Sequence, residues 1–343
     1  MKFFLVFLIL KLLLISNASF AQEISKTEIQ DVNYASVLMY HRFGEDKYPT
    51  TNIKMDQFSD HIKELIKTKY NVIKIQDGLN AIQNISLVKD RSVIITIDDA
   101  YSSVFNNAWP ILKKYGLPFT LFVSTDVIDN KTPGYMSWKE IRILRDNGVT
   151  IGSQTKSHPH MHNLNENQIV RELEFSNSRF VQEIGSKPEI FAYPYGEYNL
   201  NVVEKIKING FKAAFGQHSG VAHLSLGLYQ LPRFAMNETY GNMQRFLLAV
   251  NAKPIPISDL SPKDPVIIKN PPFYGFTLSD TIKPKGIVRC FASNDIKSET
   301  KRLGKNRIEV RLEKPFPKGR GRINCTMSAG ERWRWLGRQF IIK

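Results

Sequence analysis

The sequence predicts an α/β protein: a (β/α) barrel of parallel strand–helix units, followed by a small all-β domain. Three observations lead there. From Tyr34 to about Val250, short apolar runs alternate with stretches of helical periodicity, the mark of parallel βα units. The number of such units favours a barrel over a short open sheet. Beyond Val250 the helical periodicity stops, prolines cluster, and the rest reads as short alternating segments broken by Gly, Pro and charge.

The chain opens on Met1-Lys2, is apolar from Phe3 to Ile15 apart from Lys11, and reaches Ser19-Phe20-Ala21. A basic start, a short apolar core and small exit residues predict a signal peptide over residues 1–21. The apolar stretch is shorter than the roughly 20 residues a membrane span needs. The expectation is therefore an exported protein, periplasmic or secreted and associated with the cell envelope. Within residues 22–250, strands are expected at 35–40, 93–97, 119–123, 149–152, 190–193 and 213–215. Helices are expected at 55–69, 104–115, 138–147, 165–185 and 200–209. Asn165 can cap the fourth helix, and Gly116, Gly148, Gly185 and Gly210 stand where helices should stop. Pro254, Pro256, Pro262, Pro265, Pro271 and Pro272 predict an extended linker over 251–272. Strands at 286–292, 307–312, 321–327 and 339–342 then form a basic β-rich accessory domain over 273–343.

The formal net charge is +15, and residues 262–343 hold 19 Lys or Arg against 7 Asp or Glu. Most of the excess thus lies in the last quarter of the chain. In an exported protein this suits an anionic glycan or a lipid surface better than nucleic acid. A solvated face that aids solubility would carry the same charge. Cys290 and Cys325, the two cysteines, both lie in this region. They suggest one disulfide, or else two buried thiols. Neither is near the carboxylates described next, so neither is expected to be a nucleophile.

The apolar run Val93–Ile97 ends in Asp98-Asp99. Adjacent strand residues point to opposite faces, so the pair can divide its work. One carboxylate can bind a cation while the other takes a proton from water. Two carboxylates capping the next helix would look the same. In a parallel barrel, chemistry gathers on loops at the C-terminal ends of the strands. Asp98, Asp99, Gln154, His158 and Tyr195 all follow strand-like runs and would share that face.

Four ordered motifs extend this picture: Thr96-Ile97-Asp98-Asp99-Ala100, Phe119-Thr120-Leu121-Phe122-Val123, Ile151-Gly152-Ser153-Gln154-Thr155-Lys156-Ser157-His158-Pro159, and Phe191-Ala192-Tyr193-Pro194-Tyr195-Gly196. Over residues 34–250 the chain resembles polysaccharide deacetylases with a NodB homology domain, of the carbohydrate esterase 4 type. Within that family it is most similar to the rearranged-motif subgroup that includes exported poly-N-acetylglucosamine deacetylases. The resemblance implies a distorted barrel and metal-dependent hydrolysis of N-acetyl groups from an envelope or extracellular polysaccharide, releasing acetate. It also implies a divalent metal, with zinc as the expected ion. By position, Asp98 would be the base, Asp99 and His158 metal ligands, and the Tyr195 backbone N–H an oxyanion donor. His41, closing Val37-Leu38-Met39-Tyr40-His41, would be the general acid for the leaving amine.

The sequence departs from the family pattern at three places. Ala100 replaces a glycine. Gln154 stands where the first ligand His belongs, and an amide oxygen is a weaker, harder donor than imidazole. Gln154 could ligate through oxygen, His160 or His162 could supply the missing nitrogen, or the site could bind metal poorly. Ala192 replaces an arginine that holds the base, and Arg233 could restore that contact or form an ordinary surface ion pair. Tyr135, Trp138, Tyr193 and Tyr195 could line a sugar groove, with Trp138 equally suited to the core. Trp333 and Trp335, set among Arg332, Arg334 and Arg338, could bind sugar rings and acidic groups or lie on an edge strand. Two other readings remain open: a degenerate homologue that binds glycan without turnover, and an O-acetyl esterase or small-amide hydrolase.

Overall fold

A computed structural model describes residues 31–282 and 286–343; the expected signal peptide lies outside them. Six parallel strands form the body of the nine-stranded central sheet in chain order: β1 (Ala35–Tyr40), β2 (Ser92–Ile97), β3 (Phe119–Val123), β4 (Thr150–Ser153), β5 (Ile190–Ala192) and β6 (Ala213–Phe215). Each pairs in parallel with the next. Every residue of β1, β2 and β3 is buried. Strands covered on both faces need no polar alternation, which is why these read as continuous apolar runs.

The two ends of this sheet are drawn together by one segment. Leu231 bridges Phe215 on β6, and Phe234–Ala235 runs parallel to Leu38 and Met39 on β1. The sheet is therefore curled, as expected for a distorted (β/α) barrel. Arg233 sits in the middle of this seam. The longer helices are α1 (Met55–Leu65), α2 (Ile75–Ile82), α3 (Trp109–Lys114), α4 (Trp138–Asp146), α5 (Glu166–Ile184), α6 (Leu200–Ile208) and α7 (Met243–Val250), with a short turn of helix over Thr125–Asp129. Asn165 caps α5 by accepting from the Gln168 N–H, and Gly185 ends it at φ 78°. The helix expected at 104–115 starts instead as a π turn over Val104–Ala108, next to a proline in the first turn of α3. Proline has no N–H to continue the ladder, so the turn widens there. Short α2 carries Gly78, a poor helix former that hides its periodicity. The missing Cβ at that glycine lets α2 lie directly on Ile94 of β2.

Residues after Val250 form two facing sheets. One contains Lys253–Pro254, Val266–Ile267, Val288–Ala292, Gly319–Ala329 and Arg332–Ile342; the other contains Ile257–Ser261, Tyr274–Leu278, Ser298–Leu303 and Arg307–Leu312. The segment 251–272 is thus not a free linker, because three of its stretches are hydrogen-bonded into these sheets. Proline fixes the backbone in an extended form and lacks a donor, a combination suited to edge strands as well as to linkers. Cys290 and Cys325 stand directly opposite on paired strands and form a disulfide.

This β region is docked on the barrel. Arg332 pairs with Asp90. Gln339 Nε2 donates to the Gly196 carbonyl at 3.2 Å, and Arg338 to Gln230 Oε1 at 2.8 Å. Trp335 meets Phe234 edge-on, with ring centroids 5.7 Å apart. A Cβ at Gly337 would collide with the Ser219 carbonyl, so only glycine allows the strand this close to the loop after β6. Among the described residues, no helix is long and apolar enough to cross a membrane.

Candidate active site

Asp98 follows β2 and is fully buried. Its two oxygens accept from Arg233, at 2.6 Å from Nη1 and 2.8 Å from Nη2, in a forked pair. Arg233 is equally buried and is held from behind. Its Nε donates to the Gly216 carbonyl at 2.9 Å, and Nη1 also reaches Thr96 Oγ1 at 3.2 Å. The seam between β6 and β1 thus brings to Asp98 the cation that Ala192 cannot supply. The remaining neighbour is His41, whose Nε2 lies 3.8 Å from Asp98 Oδ2. A base fixed by a guanidinium, with an imidazole next to it, can pass protons in and out of one reacting centre.

Asp99 turns the other way. Its φ is 72° and that of Ala100 is 53°, so both occupy left-handed backbone where the family prefers glycine at the second position. Asp99 Oδ1 lies 3.5 Å from His158 Nε2. Two ligands about 2 Å from one ion sit at roughly this separation in a tetrahedral site. Burial pushes the His158 imidazole below its ordinary value, partly offset by Asp99, which favours the neutral form that binds metal. The segment from Gln154 to His158 is not a helical turn. Thr155 and His158 both have positive φ, so the i, i+4 spacing of Gln154 and His158 does not put them on one face of a helix.

Gln154 is fully buried. Its Oε1 accepts from the Asp99 N–H at 3.3 Å, and its Nε2 has no partner. The carbonyl that would bind a metal therefore supports the Asp99 loop. Asp99 and His158 fit a metal; Gln154 stands behind them.

Tyr195 lies in a 3₁₀ turn over Pro194–Gly196 with φ 57°. Its ring stacks on His160, centroids 4.2 Å apart, and meets His158 edge-on at 4.6 Å. His160 and His162 meet a carboxylate of their own, away from Asp99. His160 Nδ1 is 2.5 Å and His162 Nδ1 3.3 Å from Glu197 Oε2. Among the described residues, these are the one set of three or more His, Cys, Asp or Glu side chains with metal-ligand spacing. The two histidines hold the Glu197 carboxyl below its usual range despite burial, and Arg320 lies 3.6 Å from it. Glu197 had no signal in the sequence, because its role depends on β5 and the loop after β4 meeting in space.

His41, Asp99, His158 and Tyr195 line one cavity of about 890 Å³. Tyr135 lines it too, whereas Tyr193 and Trp138 are core residues: Tyr193 is fully buried and Trp138 packs on Phe180. The far wall comes from the β region, through Arg320, Arg322, Asn324 and Trp335. Trp333 stays outside, exposed.

Residues 87–214 match the family model described as polysaccharide deacetylase. YxkH of Bacillus subtilis (strain 168) is 25% identical over 197 residues, covering 57% of this chain and 69% of that protein. The poly-beta-1,6-N-acetyl-D-glucosamine N-deacetylase of Staphylococcus aureus (strain MRSA252) is 24% identical over 225 residues, 61% of this chain and 76% of that one. Among solved structures, Streptococcus pyogenes deacetylase PplD, in complex with acetate, aligns with a TM-score of 0.59 at 21% identity. It covers 64% of this chain and 99% of that one, a likeness of fold.

Proposed function

Because this chain belongs to the polysaccharide deacetylase family, we propose that it hydrolyses N-acetyl groups of an N-acetylglucosamine-type polysaccharide and releases acetate. The observation that carries the proposal is the Asp98–Arg233 fork beside His41, next to a cavity lined by Asp99 and His158.

In this reading, Asp98 takes a proton from the attacking water, and Arg233 keeps its carboxylate in one orientation. The water oxygen bonds to the acetamide carbon, and the Tyr195 N–H donates to the carbonyl oxygen as negative charge develops. The carbon–nitrogen bond then breaks as His41 gives a proton to the departing amine. A divalent metal held by Asp99 and His158 would supply Lewis acidity toward the carbonyl oxygen. Zinc is the ion proposed, supported by the pairing of the His158 imidazole with the Asp99 carboxylate. Export belongs to the same proposal, supported by residues 1–21 and by the Cys290–Cys325 disulfide, which suits an oxidising compartment.

Acetate release from β-1,6-linked N-acetylglucosamine oligomers, with and without added zinc, tests the reading. Time-dependent acetate accompanied by free amine is expected. Its absence from every N-acetylated glycan tried, at full metal loading, would sink the proposal.

A further inference from the structure

The catalytic cavity carries an unbalanced charge. Its lining contains three arginines, Arg245, Arg320 and Arg322, against a single carboxylate, Asp99, which faces His158. Arg320 is partly neutralised by Glu197 and donates to the Tyr195 carbonyl at 3.3 Å. Among the described residues, neither Arg245 nor Arg322 has a carboxylate within ion-pair distance, and Glu197 reaches Arg322 only from farther off. Arg245 projects from α7, donates to Ser219 Oγ at 3.3 Å, and lies over the rings of Tyr240 and Trp335, 5.2 and 5.8 Å from their centroids. Arg322 comes from the β region, and its Nε donates to Gln339 Oε1 at 3.3 Å. Both are half-buried.

Two guanidinium groups partly removed from water, with neutral hydrogen bonds alone, leave charge uncompensated. Burial pushes both below the ordinary arginine range. Their forked donors match carboxylate and phosphate oxygens, and aromatic faces of Tyr135, Tyr195 and Trp335 share the cavity. Such a combination suits a sugar chain that brings its own negative charge.

We propose that Arg245 and Arg322 form an anion subsite within the catalytic cavity, and that the substrate is an N-acetylated glycan bearing carboxylate or phosphodiester groups along the stretch that occupies it. This rests on reading the cavity as the deacetylase site. The basic β region then selects substrate at the reacting centre, through residues from both parts of the fold.

The test compares three oligosaccharides of equal length: neutral β-1,6-linked N-acetylglucosamine, alternating N-acetylglucosamine and glucuronate, and N-acetylglucosamine joined by phosphodiesters. Binding is measured by calorimetry on the full chain carrying His41→Gln, and acetate release on the wild type. At least one acidic oligomer should bind about tenfold more tightly than the neutral one, with an advantage that shrinks as salt rises. The tighter of the two acidic oligomers identifies the anion. Arg322→Gln and Arg245→Gln should each reduce that advantage, and the double variant should abolish it. Should Arg245→Gln fail to fold, Arg322→Gln and the wild-type salt dependence carry the test alone. Equal binding of all three oligomers, or an acidic preference that survives the arginine substitutions, would overturn the subsite. Arginine-dependent binding without any acetate release would support the subsite and sink the deacetylase reading instead.

Discussion

Arg233 and Asp98 are each buried, and each is the other's main compensation. Removing the guanidinium by Arg233→Ala should cost about 3–5 kcal/mol of stability, because it strands a charge inside the barrel. Arg233→Lys is the more telling change: it keeps the charge but loses the fork, so Asp98 can swing. A fall in kcat of about 10²-fold with little change in KM is expected, read by acetate release alongside thermal melting. Gln154→His addresses the other departure from the family pattern. The substitution should tighten zinc binding by about tenfold, followed by competition with a chelator, and keep or raise activity. Lost activity in a folded Gln154→His variant would show that the Asp99 N–H contact is what the glutamine provides. That Asp98, Asp99, His158 and His41 come together was legible in the sequence because each sits in a short motif at a strand end. The orientation of Gln154 and the role of Glu197 were not, since both depend on which loop faces them after folding.

At the scale of elements, the joint between barrel and β region is built on the absence of a side chain. Gly337 touches the loop at Ser219, and the same strand presents Trp335 to the cavity. Gly337→Val should push that strand off the loop, at about 1–3 kcal/mol by overpacking. It should lower kcat/KM for a polymer more than for a single N-acetylated sugar, because the far wall recedes while Asp98 stays in place. Comparing the two substrates checks this directly. The parallel strands were legible because full burial makes them apolar throughout. The stretch 251–272 was misread as a linker because prolines mark edge strands and linkers alike. Likewise Arg322 sits in an alternating strand, where a side chain facing solvent and one facing a cavity look the same.

For the whole molecule, His61 and His218 carry the largest share of the response to acid, beside His158 and His223, which burial also lowers. His61 lies against Phe246 and bonds to Tyr40 and Gly241, and burial pushes it down to about 4. His218 is buried behind the cavity wall, pushed down to about 3 by burial and then by Arg338. Between those values and the unfolded value near 6.5, the unfolded chain takes up protons that the folded chain refuses. Stability should therefore be fully present above about pH 6.5 and fall by a few kcal/mol as pH drops toward 4. Urea melts at a series of pH values would show this slope, and the double change His61→Gln, His218→Gln should make it clearly shallower. The seam that carries Arg233 has a further consequence, for biogenesis. Synthesis proceeds from the N-terminus, so a nascent chain contains Asp98 long before it contains the arginine that steadies it. Any fragment ending before residue 233 holds Asp98 without its clamp, and acetate release in a ribosome-release or truncation series would mark the moment the barrel closes.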